Sequence, residues 1–313
     1  MEKYYYSVDV GGTFIKGGII GEDGSVLSTD SLKTVPGGTN YLAESIIILL
    51  EKLEKSSGYE ISKSQGVGIG LPGLIDTVNG VLRFSGNLKL RDYPIVEELQ
   101  KKISVPIKIA NDADVATLAE GFYGAGKGFN NYMMVTIGTG IGGGIVVGGK
   151  LLSEFANFSG EIGHIKTTNK KVKCSCGEYG CFEALASTKA LVQMTSETMK
   201  NNPSSKMWSA YTPDMANGKT VFEFLGEDKV ADDLFEEYIS YLGDGIVSLV
   251  NVFVPEIIIV GGAISAQKSK LTAPLEKYVN EHIYTKNVGY KVKITTAKYT
   301  GNAGLIGGRC LFN

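Results

Sequence analysis

The sequence predicts an α/β protein in which two related lobes face a common cleft. The chain has 313 residues, enough for about two domains, and 43% of them are hydrophobic and 20% charged, as in a globular protein with a sizeable core. Residues 7–20 (SVDVGGTFIKGGII) and 134–147 (MVTIGTGIGGGIVV) share one pattern: a β-branched run, a turn rich in Gly and Thr, and a second β run. Because this pattern occurs early in each half, we expect each lobe to begin with the same device.

The charge of the chain argues against several classes of partner. The net charge of -2 gives no electrostatic reason to expect binding to nucleic acid or to an anionic membrane.

The first residues, MEKYYYSVDVGG, lack the basic start, apolar run and cleavage site of a signal peptide, and the longest apolar runs are too short to span a bilayer. We therefore expect a cytoplasmic protein, in which reducing conditions disfavour disulfide bonds.

Each of the two glycine-rich stretches is expected to form a β-hairpin, because no helix period can be fitted through so many glycines. At such a tip, backbone N–H groups approach phosphate oxygens closely, since no Cβ intervenes. Thr13 and Thr139 can add hydroxyl donors, Lys16 can neutralise phosphate charge, and Asp9 can hold Mg²⁺ directly or through water.

Two tight hairpins that use glycine for geometry alone are the alternative interpretation. The recurrence of the pattern and a third glycine turn at 257–265 (IIIVGGAIS) favour nucleotide binding. The predicted residues of the ATP and Mg²⁺ site are Asp9, Gly11, Gly12, Thr13, Lys16, Gly138, Thr139, Gly140, Gly261 and Gly262.

Two other nucleotide motifs match in letters but not in context. GIGLPG (68–73) and GTGIGG (138–143) fit the dinucleotide pattern G-x-G-x-x-G, which requires the glycines to open a helix, whereas a turn and a strand follow them here. GFYGAGK (121–127) has the glycine spacing of a P-loop, but Gly128 stands where a Ser or Thr would bind Mg²⁺. Neither interpretation is retained.

The remaining elements follow from apolar spacing and punctuating residues. Residues 66–76 are expected to form a strand that ends in a Pro-Gly turn, and residues 106–122 a strand that leads into a helix, with Asn111 or Asp112 as its N-cap. The helix predicted over 231–254 is stopped by Pro255.

The C-terminal part of the chain is expected to contain a strand, an irregular segment and a final short helix. EIIIVGG (256–262) is typical of a buried strand that runs into a glycine turn. The polar residues 201–220 are expected to form a surface loop or irregular insertion, and the end of the chain, GNAGLIGGRCLFN, a short helix of small residues.

Three of the chain's four cysteines and one of its two histidines share the spacing H-x9-C-x-C-x4-C: His164, Cys174, Cys176 and Cys181. One imidazole and three thiolates make a closed tetrahedral set for Zn²⁺, with no open position for catalysis. The polar segment between these residues has little apolar material to bury, so a metal would stabilise it. Three reduced thiols in a loop are the alternative. Cys310 is expected to be a small core hydrophobe.

The three glycine turns together resemble the two phosphate motifs and the adenosine motif of the actin-like ATPase superfamily. The stretch GEIGH (160–164), followed by CSCGEYGCFE (174–183), resembles the signature of one branch, the ROK family (repressors, open reading frames, sugar kinases). The resemblance runs in order from Val8 to about Gly307. It implies a two-lobed actin-like ATPase (ribonuclease H-like) fold with a central cleft, and an ATP-dependent sugar kinase that uses Mg²⁺ and a structural Zn²⁺.

We predict that residues 1–112 form a small lobe, to which a C-terminal helix at 300–313 returns. Residues 113–299 are predicted to form a large lobe that carries the zinc-binding loop. The resemblance also implies a homodimer or homotetramer.

Phosphoryl transfer to a sugar hydroxyl needs a carboxylate within hydrogen-bond reach of that hydroxyl, and Asp112 is the candidate. It opens a helix, whose dipole keeps it ionised, although a plain helix cap would leave the same local sequence. In the ROK resemblance, the Asp of the matching Asn-Asp pair is the base. His164 could bind zinc through one ring nitrogen and the sugar through the other. The implied sugar-binding residues are Gly73, Asn87, Asn111, Asp112, Glu161, His164 and Glu183.

Glucose is the favoured sugar, because some N-acetylmannosamine kinases of the family differ at the position of Glu161 in GEIGH. Many glucose kinases of the family carry an aromatic residue three positions after Asn87, where this chain has Leu90, a difference that bears on the shape of the sugar pocket. N-acetylmannosamine, N-acetylglucosamine, allose, fructose and a β-glucoside are the alternative substrates.

A non-catalytic ROK sugar sensor or repressor is the competing class of function. ROK repressors carry an N-terminal DNA-reading segment of several dozen residues, for which the start of the first hairpin at Asp9 leaves no room. The presence of Asp9, Lys16 and Asp112 argues against a silent sensor.

Overall fold

The structure is a computed structural model that describes residues 3–34 and 41–313. Its strands are β1 (Tyr4–Val10), β2 (Phe14–Gly21), β3 (Val26–Lys33), β4 (Val67–Leu71), β5 (Leu74–Asp76), β6 (Val81–Ser85), β7 (Leu90–Tyr93), β8 (Ile107–Asn111), β9 (Tyr132–Ile137), β10 (Ile141–Val147), β11 (Lys150–Leu151), β12 (Ile257–Gly261) and β13 (Lys293–Thr296). Its helices are α1 (Tyr41–Ser57), α2 (Ile95–Gln100), α3 (Asp112–Tyr123), α4 (Phe182–Ala186), α5 (Thr188–Asn201), α6 (Thr220–Glu223), α7 (Lys229–Phe253), α8 (Ser269–His282) and α9 (Ala303–Cys310).

Two five-stranded sheets repeat one topology. The first has the strand order β3-β2-β1-β4-β8 and the second β11-β10-β9-β12-β13. In each sheet the first two pairs in this order are antiparallel and the last two are parallel. Each of the two glycine-rich stretches forms the hairpin at the centre of its sheet, β1–β2 in one and β9–β10 in the other. The prediction of two related α/β lobes is therefore confirmed.

Each sheet has its own apolar core. The core of the first sheet includes the buried face of α1, and the small sheet β5-β6-β7 joins it through Ile75, Leu82 and Leu90. The core of the second sheet includes α7 and α8, with Phe182 and Tyr238 among its fully buried side chains. Fully burying a large apolar side chain stabilises a fold by about 1.5–3 kcal/mol, so these two clusters supply most of the driving force for folding.

The helices α3 and α9 pack against each other and reach elements of both sheets. Glycines permit this close approach, because a Cβ at Gly68 would overlap the carbonyl group of Gly308, and one at Gly307 would overlap the carbonyl group of Val115. The C-terminal helix is shorter than the predicted range 300–313. Gly301 has a φ of +96°, outside the helical region, so the helix begins only at Ala303.

The sequence also locates the ends of two other helices. Asn111 is the N-cap of α3, because its Oδ1 accepts a hydrogen bond from the Ala113 N–H at 2.8 Å, and Asp112 is therefore the first helical residue. Helix α7 ends where Val254 takes a left-handed conformation just before Pro255. The irregular segment predicted at 201–220 contains two short 3₁₀ turns, and the Trp208 indole N–H donates to the Met199 carbonyl at 3.0 Å.

None of the helices in the described part of the chain combines the length and the apolar character needed to cross a bilayer.

Candidate active site

A cavity of about 530 Å³ receives side chains from both large sheets. It lies where β1, β8 and the turn before β5 meet the β9–β10 hairpin and the segment that follows β11. All the residues predicted to bind sugar line it: Gly73, Asn87, Asn111, Asp112, Glu161, His164 and Glu183. Residues far apart in the sequence thus meet at a single site, as the prediction requires.

A second cavity of about 500 Å³ adjoins the first. The two cavities share five lining residues, so they lie side by side: Asp9, Ala116, Thr136, Gly262 and Gly304. Lys16 lines only the second cavity, where its Nζ lies 3.2 Å from the Gly301 carbonyl oxygen. The arrangement suits a nucleotide that extends its phosphates toward the first cavity.

The predicted nucleotide residues differ in how they relate to these cavities. Gly138 and Gly140 of the second hairpin line the first cavity together with Asp9. Four others lie at the hairpin tips without lining either cavity: Gly11, Gly12, Thr13 and Thr139. Gly261 is buried at the end of β12, where a Cβ would overlap the Met134 side chain, so its role there is packing.

Asp112 lies at the first position of α3 and faces the first cavity. Its Oδ1 accepts a hydrogen bond from the Ala113 N–H at 2.9 Å. Burial, followed by the neighbouring Asp9 carboxylate, raises the pKa of Asp112 to about 6, against the opposing effect of the Ala113 N–H. The group is therefore ionised near neutral pH and basic enough to accept a proton.

Asp114 is a carboxylate in the same cavity that the sequence analysis did not identify. Its side chain is buried, and this burial raises its pKa to about 7, with smaller contributions from Glu161 and Asp112 and an opposing hydrogen bond from Ser153. The sequence feature that indicates Asp114 is a second acidic residue in the first turn of the helix that Asp112 opens. The local sequence does not reveal its place in the cavity, because other residues of that cavity, such as Gly160 and Glu161, are distant in the chain.

Glu183 connects the second hairpin with the cysteine-rich loop. Its Oε2 accepts a hydrogen bond from the Ile141 N–H at 3.1 Å, and its Oε1 accepts one from the Ser175 hydroxyl at 2.6 Å. Glu161 lines the same cavity. Burial raises the pKa of Glu161, the neighbouring His164 lowers it, and the neighbouring Glu183 raises it. Ser175 was not identified from the sequence, because its contact depends on how the loop folds back.

The four predicted metal ligands form one cluster, with their candidate donor atoms all within 4.8 Å of one another: His164, Cys174, Cys176 and Cys181. The Cys176 and Cys181 Sγ atoms are 3.8 Å apart, and the Cys174 Sγ atom is 3.8 Å from the His164 Nδ1 atom. Two thiolates on a tetrahedral Zn²⁺ with Zn–S bonds of about 2.3 Å lie about 3.8 Å apart, so the donor set and its spacing fit this ion.

The fourth cysteine is separate from this cluster. Cys310 is a buried free thiol in α9, and its burial raises its pKa to about 12. The prediction that Cys310 is a small core residue is confirmed.

Residues 5–313 match the sequence profile of the ROK family. A glucokinase of Thermotoga maritima is 34% identical over 304 residues, which cover 96% of this chain and 94% of that protein. A glucokinase of Halalkalibacterium halodurans is 31% identical over 313 residues, which cover 98% of this chain and 94% of that protein. Each of these relatives matches this chain over nearly its whole length.

The structure resembles the crystal structure of a ROK family glucokinase from Streptomyces griseus in complex with glucose and AMPPNP. The TM-score is 0.82 at 29% sequence identity, and the match covers 98% of each chain. The two-lobed actin-like ATPase architecture predicted from the glycine turns is thus the architecture of a solved relative with a sugar and an ATP analogue bound.

Proposed function

The chain belongs to the ROK family, and on that premise we propose that it is a glucokinase, which transfers the terminal phosphoryl group of ATP to the 6-hydroxyl of glucose. One observation supports this proposal most strongly. The cavity lined by every predicted sugar-binding residue adjoins a second cavity lined by Lys16, and Asp9 lines both. A hydroxyl held by the first set would therefore face a phosphate held by the second.

Asp112 is the proposed general base. It accepts the proton of the sugar hydroxyl while the hydroxyl oxygen forms its bond to phosphorus and the bond to the ADP oxygen breaks. Asn111 holds a neighbouring hydroxyl, because its side-chain amide, which donates to the Gly73 carbonyl at 3.0 Å, is fixed at the cavity wall. In this proposal Lys16 neutralises phosphate charge, and the N–H groups of the two hairpins donate hydrogen bonds to phosphate oxygens.

Asp9 is the proposed site for Mg²⁺. Burial raises the pKa of Asp9, and the neighbouring Lys16 opposes that rise. A carboxylate of this kind at the junction of the cavities is the oxygen ligand that Mg²⁺ binds together with phosphates, and the ion would neutralise the charge that develops in the transition state.

We further propose that the cluster of His164 and three cysteines holds one structural Zn²⁺. The metal would crosslink the loop whose residues also face the cavity, because His164 lines it and the Ser175 hydroxyl holds Glu183. The His164 Nδ1 atom lies 3.8 Å from the Cys174 Sγ atom, so we propose that Nδ1 binds the metal and Nε2 the sugar. The proposed role of the metal is therefore positional.

The proposal also includes the division of the chain into two lobes, its oligomeric state and its location in the cell. The two lobes are taken as residues 1–112 with the C-terminal helix, and 113–299. Their boundary falls at the first residue of α3, which packs on elements of both sheets. We propose a homodimer or homotetramer in the cytoplasm, where four free cysteines would stay reduced.

A panel of sugars tests the function. We expect ATP consumption to depend on added sugar, with glucose giving the highest kcat/KM among glucose, N-acetylmannosamine, N-acetylglucosamine, allose, fructose and a β-glucoside. ADP release is measured with Mg²⁺ present, and the reaction without sugar is the control. A higher kcat/KM with another sugar would change the substrate. ATP consumption with none of them, despite sugar binding, would favour a non-catalytic sensor.

The rate is expected to rise with pH through the pKa of Asp112. The base acts only in its ionised form, so kcat/KM for glucose should fall about tenfold for each pH unit below about 6 and stay level above it. Initial rates across this range check the expectation, with circular dichroism at each pH as the control for folding. A midpoint near about pH 4, the value of an ordinary carboxyl group, would contradict the raised pKa.

A further inference from the structure

A polar contact joins the two walls of the cleft beside the sugar cavity. The Asn157 side-chain amide donates to the Asp76 carboxylate at 3.2 Å, and its oxygen accepts a hydrogen bond from the Thr77 hydroxyl at 3.0 Å. Asp76 ends β5, whose sheet packs on the core of the first lobe, whereas Asn157 follows β11 of the second sheet. We refer to Asp76, Thr77 and Asn157 as the Asn157 bridge.

The Asp76 carboxylate is also held by hydrogen bonds from residues other than Asn157. Asp76 is 4% exposed, and its Oδ2 accepts hydrogen bonds from the Arg83 guanidinium at 2.8 Å and from the Asn79 amide at 2.9 Å. The Asn79 hydrogen bond and then Arg83 lower the pKa of Asp76 to about 2, despite its burial. The Asn157 amide therefore donates to a carboxylate that is ionised at neutral pH, which strengthens the bond.

Both ends of the bridge continue directly into the wall of the sugar cavity. Gly73 lies three residues before Asp76, and Ser159, Gly160 and Glu161 follow shortly after Asn157. All four of these flanking residues line the cavity, while Asp76, Thr77 and Asn157 line neither the sugar cavity nor its nucleotide neighbour. The bridge thus holds the wall from outside.

The backbone beside Asn157 is strained in a way that needs such support. Phe158 has a φ of +69°, a conformation that a bulky side chain rarely adopts, and its ring is 43% exposed, so its own packing does little to impose it. Conformations of this kind persist where neighbouring contacts fix the chain on both sides. Asn157 on one side, and Gly160 and Glu161 on the other, are those neighbours.

We propose that the Asn157 bridge positions the Glu161 segment against the Gly73 turn and thereby sets the affinity of the protein for its sugar but not for ATP. The proposal rests on the proposed function in so far as the cavity binds a sugar. Asn157 is a positioning residue in this account, since it contacts Asp76 and Thr77 rather than the substrate.

Two single substitutions test the bridge, one by removing both of its hydrogen bonds and the other by removing one. Asn157→Ala and Thr77→Val are each expected to weaken sugar binding, by about tenfold for Asn157→Ala, which loses two hydrogen bonds, and by less for Thr77→Val, which loses one. The Kd for the sugar is measured by calorimetry without ATP, and KM and kcat are measured in the kinase assay. We expect kcat and the KM for ATP to stay within about twofold of wild type, because the nucleotide cavity is untouched.

A charge swap separates positioning from general loss of structure. Asn157→Asp sets two carboxylates against each other and should weaken sugar binding more than Asn157→Ala. The double variant Asp76→Asn/Asn157→Asp restores an amide opposite a carboxylate in reversed order, so it should bind sugar more tightly than Asn157→Asp alone. Asn287→Ala, at an exposed asparagine distant from both cavities, is the matched control and should equal wild type.

Three results would overturn the proposal. The first is an unchanged sugar Kd in Asn157→Ala, and the second is an equal rise in KM for ATP and sugar, which points to general destabilisation. The third is a double variant no better than Asn157→Asp. All comparisons use the sugar that the wild-type protein binds most tightly in the panel, so a failure of glucose as the substrate leaves this test intact. A wild-type protein that binds no sugar would sink both proposals.

Discussion

The Asp112→Asn variant is expected to turn over glucose at least about 10²-fold more slowly than the wild-type protein. The substitution removes the proton acceptor and keeps nearly the same shape. Because an amide still hydrogen-bonds a hydroxyl, the Kd for glucose should change much less than kcat. ATP binding should be unchanged, since the hairpins and Lys16 supply those contacts. Steady-state kinetics and calorimetry with each substrate measure the three quantities.

Asp114→Asn is the matched control for this variant. It makes the same chemical change two residues away, on a second buried carboxylate of the same cavity. We expect a much smaller loss of kcat, because Asp114 is not the proposed base. If Asp112 were only a helix residue, Asp112→Asn would stay active, since α3 is capped by Asn111. Near-wild-type turnover in Asp112→Asn would move the base elsewhere, and Glu161 would be the next candidate.

Loss of the metal is expected to have the second-largest effect. The wild-type protein should contain about one zinc per chain, and Cys176→Ala should contain almost none, because a closed tetrahedral site needs all four ligands. The Kd for glucose should rise by about 10- to 100-fold, as the loop that carries His164 and Ser175 loosens and Glu183 loses its hydrogen bond. ATP binding should survive. Elemental analysis and calorimetry test both statements.

Cys310→Ala is the control for the metal prediction. Cys310 is the cysteine outside the cluster, and its replacement should leave the zinc content at wild-type level even if stability falls. An equal loss of ATP and glucose binding in Cys176→Ala would indicate unfolding rather than loosening of one loop. Wild-type protein that contains no metal, purified with reduced cysteines and without chelators, would end the zinc proposal.

The sequence was most informative where structure depends on neighbouring residues. Glycine and β-branched residues predicted both hairpins, and the Asn111-Asp112 pair predicted the start of α3. The spacing of three cysteines and a histidine predicted a cluster whose donor atoms lie within 4.8 Å of one another. Each of these features is decided by turn chemistry, capping or ligand spacing over a few residues. The recurrence of the glycine-rich hairpin early in each half predicted the two lobes.

Features that depend on distant pairs escaped the sequence analysis. Asn157 meets Asp76 across 81 positions of chain, and no local pattern in either segment indicates the other. Asp114 shares its cavity with Gly160 and Glu161, which lie far from it in the sequence. The predicted C-terminal helix was too long because Gly301 adopts a conformation that small-residue composition alone does not reveal.

The position of Gly304 determines when this site can be completed during protein synthesis. Gly304, near the start of α9, lines both cavities and lies against the Asp9 carboxylate, with no space for a Cβ between them. Asp9 leaves the ribosome among the first residues, and Gly304 emerges only after both sheets have been translated. A nascent chain that already carries the two hairpins still lacks the wall that α9 provides. We therefore expect a chain that ends before α9 to lack kinase activity, because its cavities lack this wall.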